Sequence, residues 1–179
     1  MSRRDELRDN ALHYFLNNGL AELSLRPLAE QIGTSARLLI YHFGSKEKLI
    51  TLVMEQVRAR VQQSVVEMMH AAQGEASMES FWHWLTDDEN IRYVRLLFEV
   101  QVLALQNPAI YAQFLSDTSS SWLEVLEHGI PESAKRRTIA TLCSAVLDGL
   151  ALDYMSTGDF DRTTAALKFF VSLLSRYSE

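Results

Sequence analysis

Residues 25–44 read Leu-Arg-Pro-Leu-Ala-Glu-Gln-Ile-Gly-Thr-Ser-Ala-Arg-Leu-Leu-Ile-Tyr-His-Phe-Gly, and the fold turns on them. Ser24 is a good helix N-cap, and Pro27 falls in the first turn, where its missing N–H is tolerated. A short helix over about 25–32 follows. Gly33-Thr34-Ser35 breaks it, with Gly33 where the turn needs a positive φ. A further helix runs over about 36–42. Ala29 is small where the two helices must cross closely, and Leu28 and Ile32 can pack against Leu39 and Phe43. Two short helices at a steep angle form a helix-turn-helix, which offers its second helix to the major groove of DNA. Seven residues make roughly 10 Å of helix, against a groove about 12 Å wide.

Outward from this motif the same punctuation continues. Leu7, Ala11, Leu12 and Phe15 give a helix over about 5–18, closed by Asn18-Gly19. Ser45 caps a long helix over about 46–72. Ser77 with Glu79 opens a fifth, to about 86. Asp87 or Asp88 caps a sixth, to about 106. Asn107-Pro108 starts a seventh, ending near Gly129. Pro131 opens an eighth, to about 157, and Asp159 caps a ninth, to about 177. No segment alternates with a period of two, so the expected class is all-α with about nine helices. The chain divides into a three-helix helix-turn-helix domain over 1–48 and a helical domain over 49–179, with the joint inside the long fourth helix.

Composition narrows the function. Of 179 residues 47% are apolar and 22% charged, close to the globular average, which excludes disorder and low complexity. The one cysteine, Cys143, excludes an internal disulfide and a thiolate metal cluster. No His/Asp/Glu cluster has metal spacing and no glycine-rich phosphate loop follows a strand, so neither an enzyme nor a cofactor is expected. Uncharged apolar runs fall short of 18 residues, so no membrane span is expected. The charged N-terminus does not resemble a signal peptide, and a reducing cytoplasm fits. Net charge is −6, which taken alone argues against nucleic acid. Its distribution reverses that. Residues 1–48 carry seven basic and six acidic side chains, whereas residues 49–179 carry ten and seventeen. Only the N-terminal end can approach a polyanion.

The stretch from Leu25 to Leu49, ending Tyr41-His42-Phe43-Gly44-Ser45-Lys46-Glu47-Lys48-Leu49, resembles the DNA-binding domain of tetracycline-repressor-like (TetR-type) regulators. Their pattern is Arg-x-Ile-Ala, then Ala-Gly-Val-Ser, then Leu-Tyr-x-His-Phe-x-Ser-Lys-Glu-x-Leu. Arg26, Ala29, Gly33, Ser35, Leu39, His42, Phe43, Ser45, Lys46, Glu47 and Leu49 match in register. Its departures include Ile32 for alanine, Thr34 for valine and Ile40 for tyrosine. The phosphate contact of that tyrosine does not carry over to Ile40. Tyr41 is the available substitute, about 100° further round the helix. The resemblance implies a homodimeric transcriptional regulator, most often a repressor released from double-stranded operator DNA by a small-molecule effector. The rival class is a helical protein-interaction module with a relic helix-turn-helix.

Side-chain chemistry distributes the roles. Arg37 suits bidentate bonds to guanine O6 and N7, and Ala36 and Leu38 suit thymine methyl groups. Thr34 and Ser35 can reach bases or phosphate, and Tyr41 and His42 can donate to phosphate oxygens. Ser24, and Ser45 with Lys46, stand at helix N-termini, which favour phosphate. Arg3 and Arg4 form either a basic arm or a solvated tail.

In the acidic half, aromatics gather in helices five to seven. The family resemblance implies an effector pocket there, with Trp82, Tyr93, Phe98, Tyr111, Phe114 and Trp122 as candidates, joined by Asp148 and Met155 from helix eight. Aromatic faces and net acidity favour a neutral or cationic apolar effector. The last helices are apolar on two sides, so each needs two partners. One side of the ninth carries Leu167, Phe170, Val171 and Leu174; the other carries Ala166, Phe169, Leu173 and Tyr177. The expected dimer interface takes the first of these with Leu142, Val146 and Leu150 of the eighth.

Overall fold

A computed structural model describes residues 2–71, 78–130 and 132–177. Among the described residues the chain is all-helical: α1 (Arg3–Asn18), α2 (Leu25–Gln31), α3 (Ala36–Phe43), α4 (Lys46–Ala71), α5 (Met78–Leu85), α6 (Asn90–Gln106), α7 (Pro108–His128), α8 (Arg136–Thr157) and α9 (Phe160–Tyr177). The caps expected at Ser77 and Pro131 lie outside the described residues, as does the side chain of Tyr177.

Local chemistry sets the helix ends. Ser2 and Asp5 close a capping box on α1: the Asp5 N–H donates to Ser2 Oγ, and the Ser2 N–H donates to Asp5 Oδ2. The Ser2 hydroxyl also donates to Asp5 Oδ2 at 2.7 Å, and this bond, with that from the Ser2 N–H, holds the Asp5 carboxyl below its usual pKa. Asp87 Oδ1 accepts the N–H groups of Glu89 and Asn90, so α6 starts at Asn90. Asp159 caps α9 by accepting the Arg162 N–H at 3.1 Å. The α8 helix starts later than the proline suggests. Residues 132–135 make turns, and the Arg136 guanidinium folds back to donate to the Glu127 carbonyl from Nε at 2.7 Å and also from Nη2.

The chain packs as two compact units, Met1–Val61 with Ile91–Thr118, and Gln62–Asn90 with Ser119–Glu179. In the first unit Leu7, Ala11 and Phe15 of α1 are buried with Leu28 of α2, Leu39 of α3, and Leu49 and Val53 of α4. Leu96, Val100 and Ala104 of α6 are buried in the same unit, so α6 packs with the N-terminal helices. In the second unit the buried set is Trp82 and Leu85 of α5, Ala140, Cys143, Leu147 and Ala151 of α8, and Thr163 and Leu167 of α9. Trp82 Nε1 donates to Thr164 Oγ1 at 2.9 Å. Arg162 of α9 grips both Asp153 carboxylate oxygens of α8, at 2.7 and 2.8 Å, which lowers the Asp153 pKa and raises that of Arg162.

Among the described residues only the α8 helix is, by length and composition, apolar enough to cross a bilayer, an 18-residue stretch of it having a mean hydropathy of 1.3. Its apolarity serves packing instead on the side where Ala140, Cys143, Leu147 and Ala151 are buried in the second unit.

The turn between α3 and α4 depends on Gly44, at φ +84° and ψ −49°, whose N–H returns to the Ile40 carbonyl at 2.8 Å. Side chains other than hydrogen are strained there. Gly44→Ala is expected to lower stability by about 1–3 kcal/mol, measured by urea unfolding, through backbone strain rather than lost contacts.

Candidate functional site

The α3 helix is held by one face and shown by the other. Leu39 and Phe43, four apart, are buried. Arg37, Leu38, Ile40 and Tyr41 are exposed, Tyr41 at 80%. Ser35 caps the helix, its Oγ accepting the Leu38 N–H at 3.2 Å. Gly33 takes φ +70°, and a Cβ there would meet nothing. The helix-turn-helix thus presents a short, accessible helix with one cation, two aliphatic side chains and a phenol.

The residues expected to serve this surface divide. Ser24 precedes α2 but its hydroxyl makes no capping bond. Ser35 and Ser45 use theirs as caps, Ser45 Oγ accepting the Lys48 N–H at 3.1 Å. Ala36 is half-buried. Thr34 differs from expectation: its hydroxyl is buried with no hydrogen-bond partner among the described residues. Lys46 also differs, since its half-buried ammonium donates to the Leu23 carbonyl at 3.4 Å; Lys48 is the exposed lysine of that turn. His42 is half-buried, with its ring edge-on to Tyr41 at 5.2 Å.

Two residues were missed or misread from sequence. Ile40 was set aside because it lacks the tyrosine hydroxyl, yet it is exposed on the outer face of α3. Arg4 is neither arm nor tail. It lies in α1, its Nε donates to the His42 carbonyl at 3.2 Å, and its guanidinium stands 5.6 Å from the centre of the Phe43 ring. A cation at the last turn of α3 also complements the helix dipole. A burial pattern does not reveal such a link, because it joins residues 38 apart in sequence.

The second unit contains a cavity of about 120 Å³. It is lined by Val65 and Met68 of α4, Met78 and Phe81 of α5, Trp122, Val125, Leu126, Gly129 and Ile130 in and after α7, and Cys143 and Leu147 of α8. Phe81 packs against Trp84 and Trp122, at ring-centre distances of 5.6 and 6.2 Å. Burial raises the Cys143 thiol pKa, which keeps it protonated. Of the eight side chains expected at an effector pocket, only Trp122 lines this cavity. Trp82 is fully buried beside it in sequence but spent on Thr164 and on the edge of Tyr154. Tyr93, Phe98, Tyr111 and Phe114 belong to the first unit, where Arg60 covers the Tyr93 ring and Arg58 the Phe114 ring. Burial, with the Glu47 charge as a lesser cause, raises the Tyr111 pKa. Asp148 and Met155 of α8 are outside the lining; the Asp148 carboxyl, raised in pKa by desolvation, accepts a long bond from Ser144 Oγ at 3.5 Å. Aromatic residues can fill either core, and composition does not say which.

The outer side of α8 and α9 likewise departs from the expected interface. Leu167 is fully buried and is unavailable to a second chain, because it packs into the core of its own unit. Val146, Leu150, Phe170, Val171 and Leu174 are half-buried. The exposed large apolar residues are Leu142 (48%), Leu152 (54%), Phe169 (66%) and Leu173 (36%). Gly149, in the same exposed register of α8, has nothing within 4 Å of where a Cβ would stand.

Among the described residues, no group of three or more His, Cys, Asp or Glu side chains is placed to hold a metal ion. A helix-turn-helix with an open outer face, followed by a helical body, defines the class of a DNA-binding transcriptional regulator. Residues 7–53 match the profile of the bacterial regulatory proteins, tetR family. Over this segment the chain is similar to the TetR-type transcriptional regulators. A nicotine-responsive transcriptional repressor, HdnoR of Paenarthrobacter nicotinovorans, is 20% identical over 168 residues, covering 87% of this chain and 85% of that one. Two crystal structures share the fold. A transcriptional regulator from Rhodococcus sp. Rha1 matches with a TM-score of 0.79 at 18% identity, over 96% of this chain and 95% of that one. A regulator from Saccharomonospora viridis in complex with choline matches with a TM-score of 0.67 at 17% identity, over 94% and 95%.

Arg37 is the exposed cation of α3. Arg37→Ala is expected to lose about 1–3 kcal/mol on a preferred duplex and to relax selectivity at one base position, read by binding to a panel of single-base variants. Unchanged base preference excludes Arg37 from readout.

Proposed function

We propose that the chain is a two-fold dimer that represses transcription by holding operator DNA through its two α3 helices, and that a small apolar molecule in the second unit releases it. It acts where that DNA is, in the cytoplasm. The observation that carries the reading is the open face of α3, where Arg37, Leu38, Ile40 and Tyr41 stand exposed on a helix anchored by Leu39 and Phe43. Arg37 is the base-reading cation. Leu38 and Ile40 suit thymine methyls, and Tyr41, Ser24 and Lys48 suit phosphate oxygens. Two such helices must enter successive major grooves, about 34–36 Å apart. Because residues 1–48 supply the basic excess, affinity falls steeply with salt as counterions are released. A relic motif in a protein-interaction module lacks that slope.

The dimer reading is supported by Leu142, Leu152, Phe169 and Leu173, exposed on α8 and α9, with Gly149 leaving room for close approach of a second copy. This replaces Leu167 by Phe169 at the interface. The domain division at 48 is kept as a functional one: the first 48 residues bind DNA, and residues 49–179 bind the effector and the second copy. The cavity beside Phe81, Trp122 and Cys143 is the proposed effector site. Its apolar lining suits a neutral molecule, and its aromatic rings also attract a cation. The relative named for its nicotine response and the fold neighbour holding choline support a ligand of that kind. An effector acts only by its differential affinity for the DNA-bound and released conformations. The α4 helix contributes residues to both units and is the route proposed between them.

Phe169→Asp is expected to give a folded monomer, by light scattering and circular dichroism, whereas Leu167→Asp abolishes folding. A wild-type monomer at micromolar concentration sinks the dimer. In a thermal-shift screen with matched anionic, neutral and cationic aromatic compounds, neutral or cationic ones are expected to raise Tm with concentration and to release DNA. Success of the anionic set alone refutes the assigned ligand class.

A further inference from the structure

Three polar side-chain contacts join α6 to the end of α1, all within the first unit, and an ion pair within α6 ties two of them together. Arg92 Nη2 donates to Asn17 Oδ1 at 2.6 Å. Arg95 Nη2 donates to the Leu16 carbonyl at 2.9 Å, one of the carbonyls left open at the helix end. The Arg95 guanidinium pairs with Glu99 at 3.3 Å. Glu99 Oε2 in turn accepts the Leu20 N–H, just past the end of α1. Gly19 makes room for this. It stands at φ +74°, and a Cβ there would fall 2.8 Å from Glu99 Oε2. By spacing alone Arg95 and Glu99 make an i,i+4 pair on one face of α6. Its tertiary role is different, because both members reach another helix.

The other end of α1 is also engaged. Arg4 donates to the His42 carbonyl and stands over the Phe43 ring, both at the last turn of α3. Between the two ends α1 is a continuous helix of 16 residues, roughly 24 Å long, with Leu7, Ala11 and Phe15 buried along it. A closely packed helix transmits displacement rather than absorbing it. The contacts therefore form one physical series: α6 to Glu99 and Arg95, these to the end of α1, α1 to Arg4, and Arg4 to the end of α3.

We propose that Glu99, seated by Arg95, is a positioning residue through which α6 sets the attitude of α3, with α1 as the rigid link. Specific DNA binding requires α3 at one angle in the groove. Non-specific binding rests on phosphate attraction and tolerates a range of angles. Loss of the link therefore penalises the specific complex selectively. Glu99→Ala removes both the charge paired with Arg95 and the acceptor for Leu20. Glu99→Gln keeps an acceptor oxygen and loses the charge.

The test uses the full chain and two probes: a duplex enriched by the wild type from a random-sequence pool, and an unrelated duplex of equal length. Glu99→Ala is expected to weaken binding to the enriched duplex at least tenfold while binding to the unrelated duplex stays within twofold. Glu99→Gln is expected to restore part of that ratio. Hydrogen exchange at the Leu20 amide, slow in the wild type, is expected to quicken in Glu99→Ala and to stay slow in Glu99→Gln. A wild-type ratio in Glu99→Ala overturns the proposal, as does a parallel loss on both duplexes, which marks general destabilisation. If Glu99→Ala does not fold, the ratio in Glu99→Gln decides by the same criterion. If the wild type enriches no duplex, the DNA-binding role fails on its own, and unchanged Leu20 exchange in Glu99→Ala still refutes the link.

Discussion

A helix can offer its side chains to DNA only if something else holds it still, and α3 is held by two side chains. Leu39 and Phe43 are buried while Arg37, Leu38, Ile40 and Tyr41 stay in solvent. A helix of eight residues has no independent stability in water, so its shape is borrowed from what it packs on. Leu7, Phe15, Leu28 and Leu49 complete that support. Gly33 and Gly44, both at positive φ, let the chain enter and leave α3 within two or three residues. The exposed apolar side chains on α3 are thus a consequence of how little of a short helix can be buried, and in a DNA-binding surface they are useful as contacts for base methyl groups.

Polar groups then decide orientation within this support. Burial of Leu7, Ala11 and Phe15 fixes which side of α1 faces inward, but apolar contact is non-directional and leaves sliding and tilt weakly defined. Directional bonds at both ends remove that freedom: Arg4 to the His42 carbonyl at one end, Arg95 and Glu99 to Leu16 and Leu20 at the other. In the second unit Arg162 does the same between α8 and α9 by clasping Asp153. Arginine suits these places because its planar fork meets two acceptors at once.

The second unit shows what an apolar surplus is used for. Its helices carry more apolar surface than one core can cover. Part closes around Trp82 and Leu167, part lines the cavity beside Phe81, Trp122 and Cys143, and part remains outside as Leu142, Leu152, Phe169 and Leu173. A solvated face of this kind is costly unless something covers it, and a helix with two apolar sides has one side to spare.

Much was legible in the sequence. The nine helices among the described residues, and their approximate limits, follow from apolar spacing of three and four and from caps such as Ser35, Ser45 and Asp159, because these are local effects of period and hydrogen bonding. The helix-turn-helix followed from the same rules, helped by a motif dense enough to match a family pattern over residues 7–53. Where the rules are not local, the sequence was silent or misleading. It placed Lys46 on phosphate, but the ammonium turns back to the Leu23 carbonyl. It put Tyr93, Phe98, Tyr111 and Phe114 with the acidic half, but α6 and the start of α7 pack with the N-terminal helices. It assigned the Leu167 face of α9 to the dimer interface, but Leu167 is fully buried in its own unit and Phe169 is exposed. Periodicity defines the faces of a helix, but which face meets the core depends on how distant segments pack, and that is decided only in three dimensions.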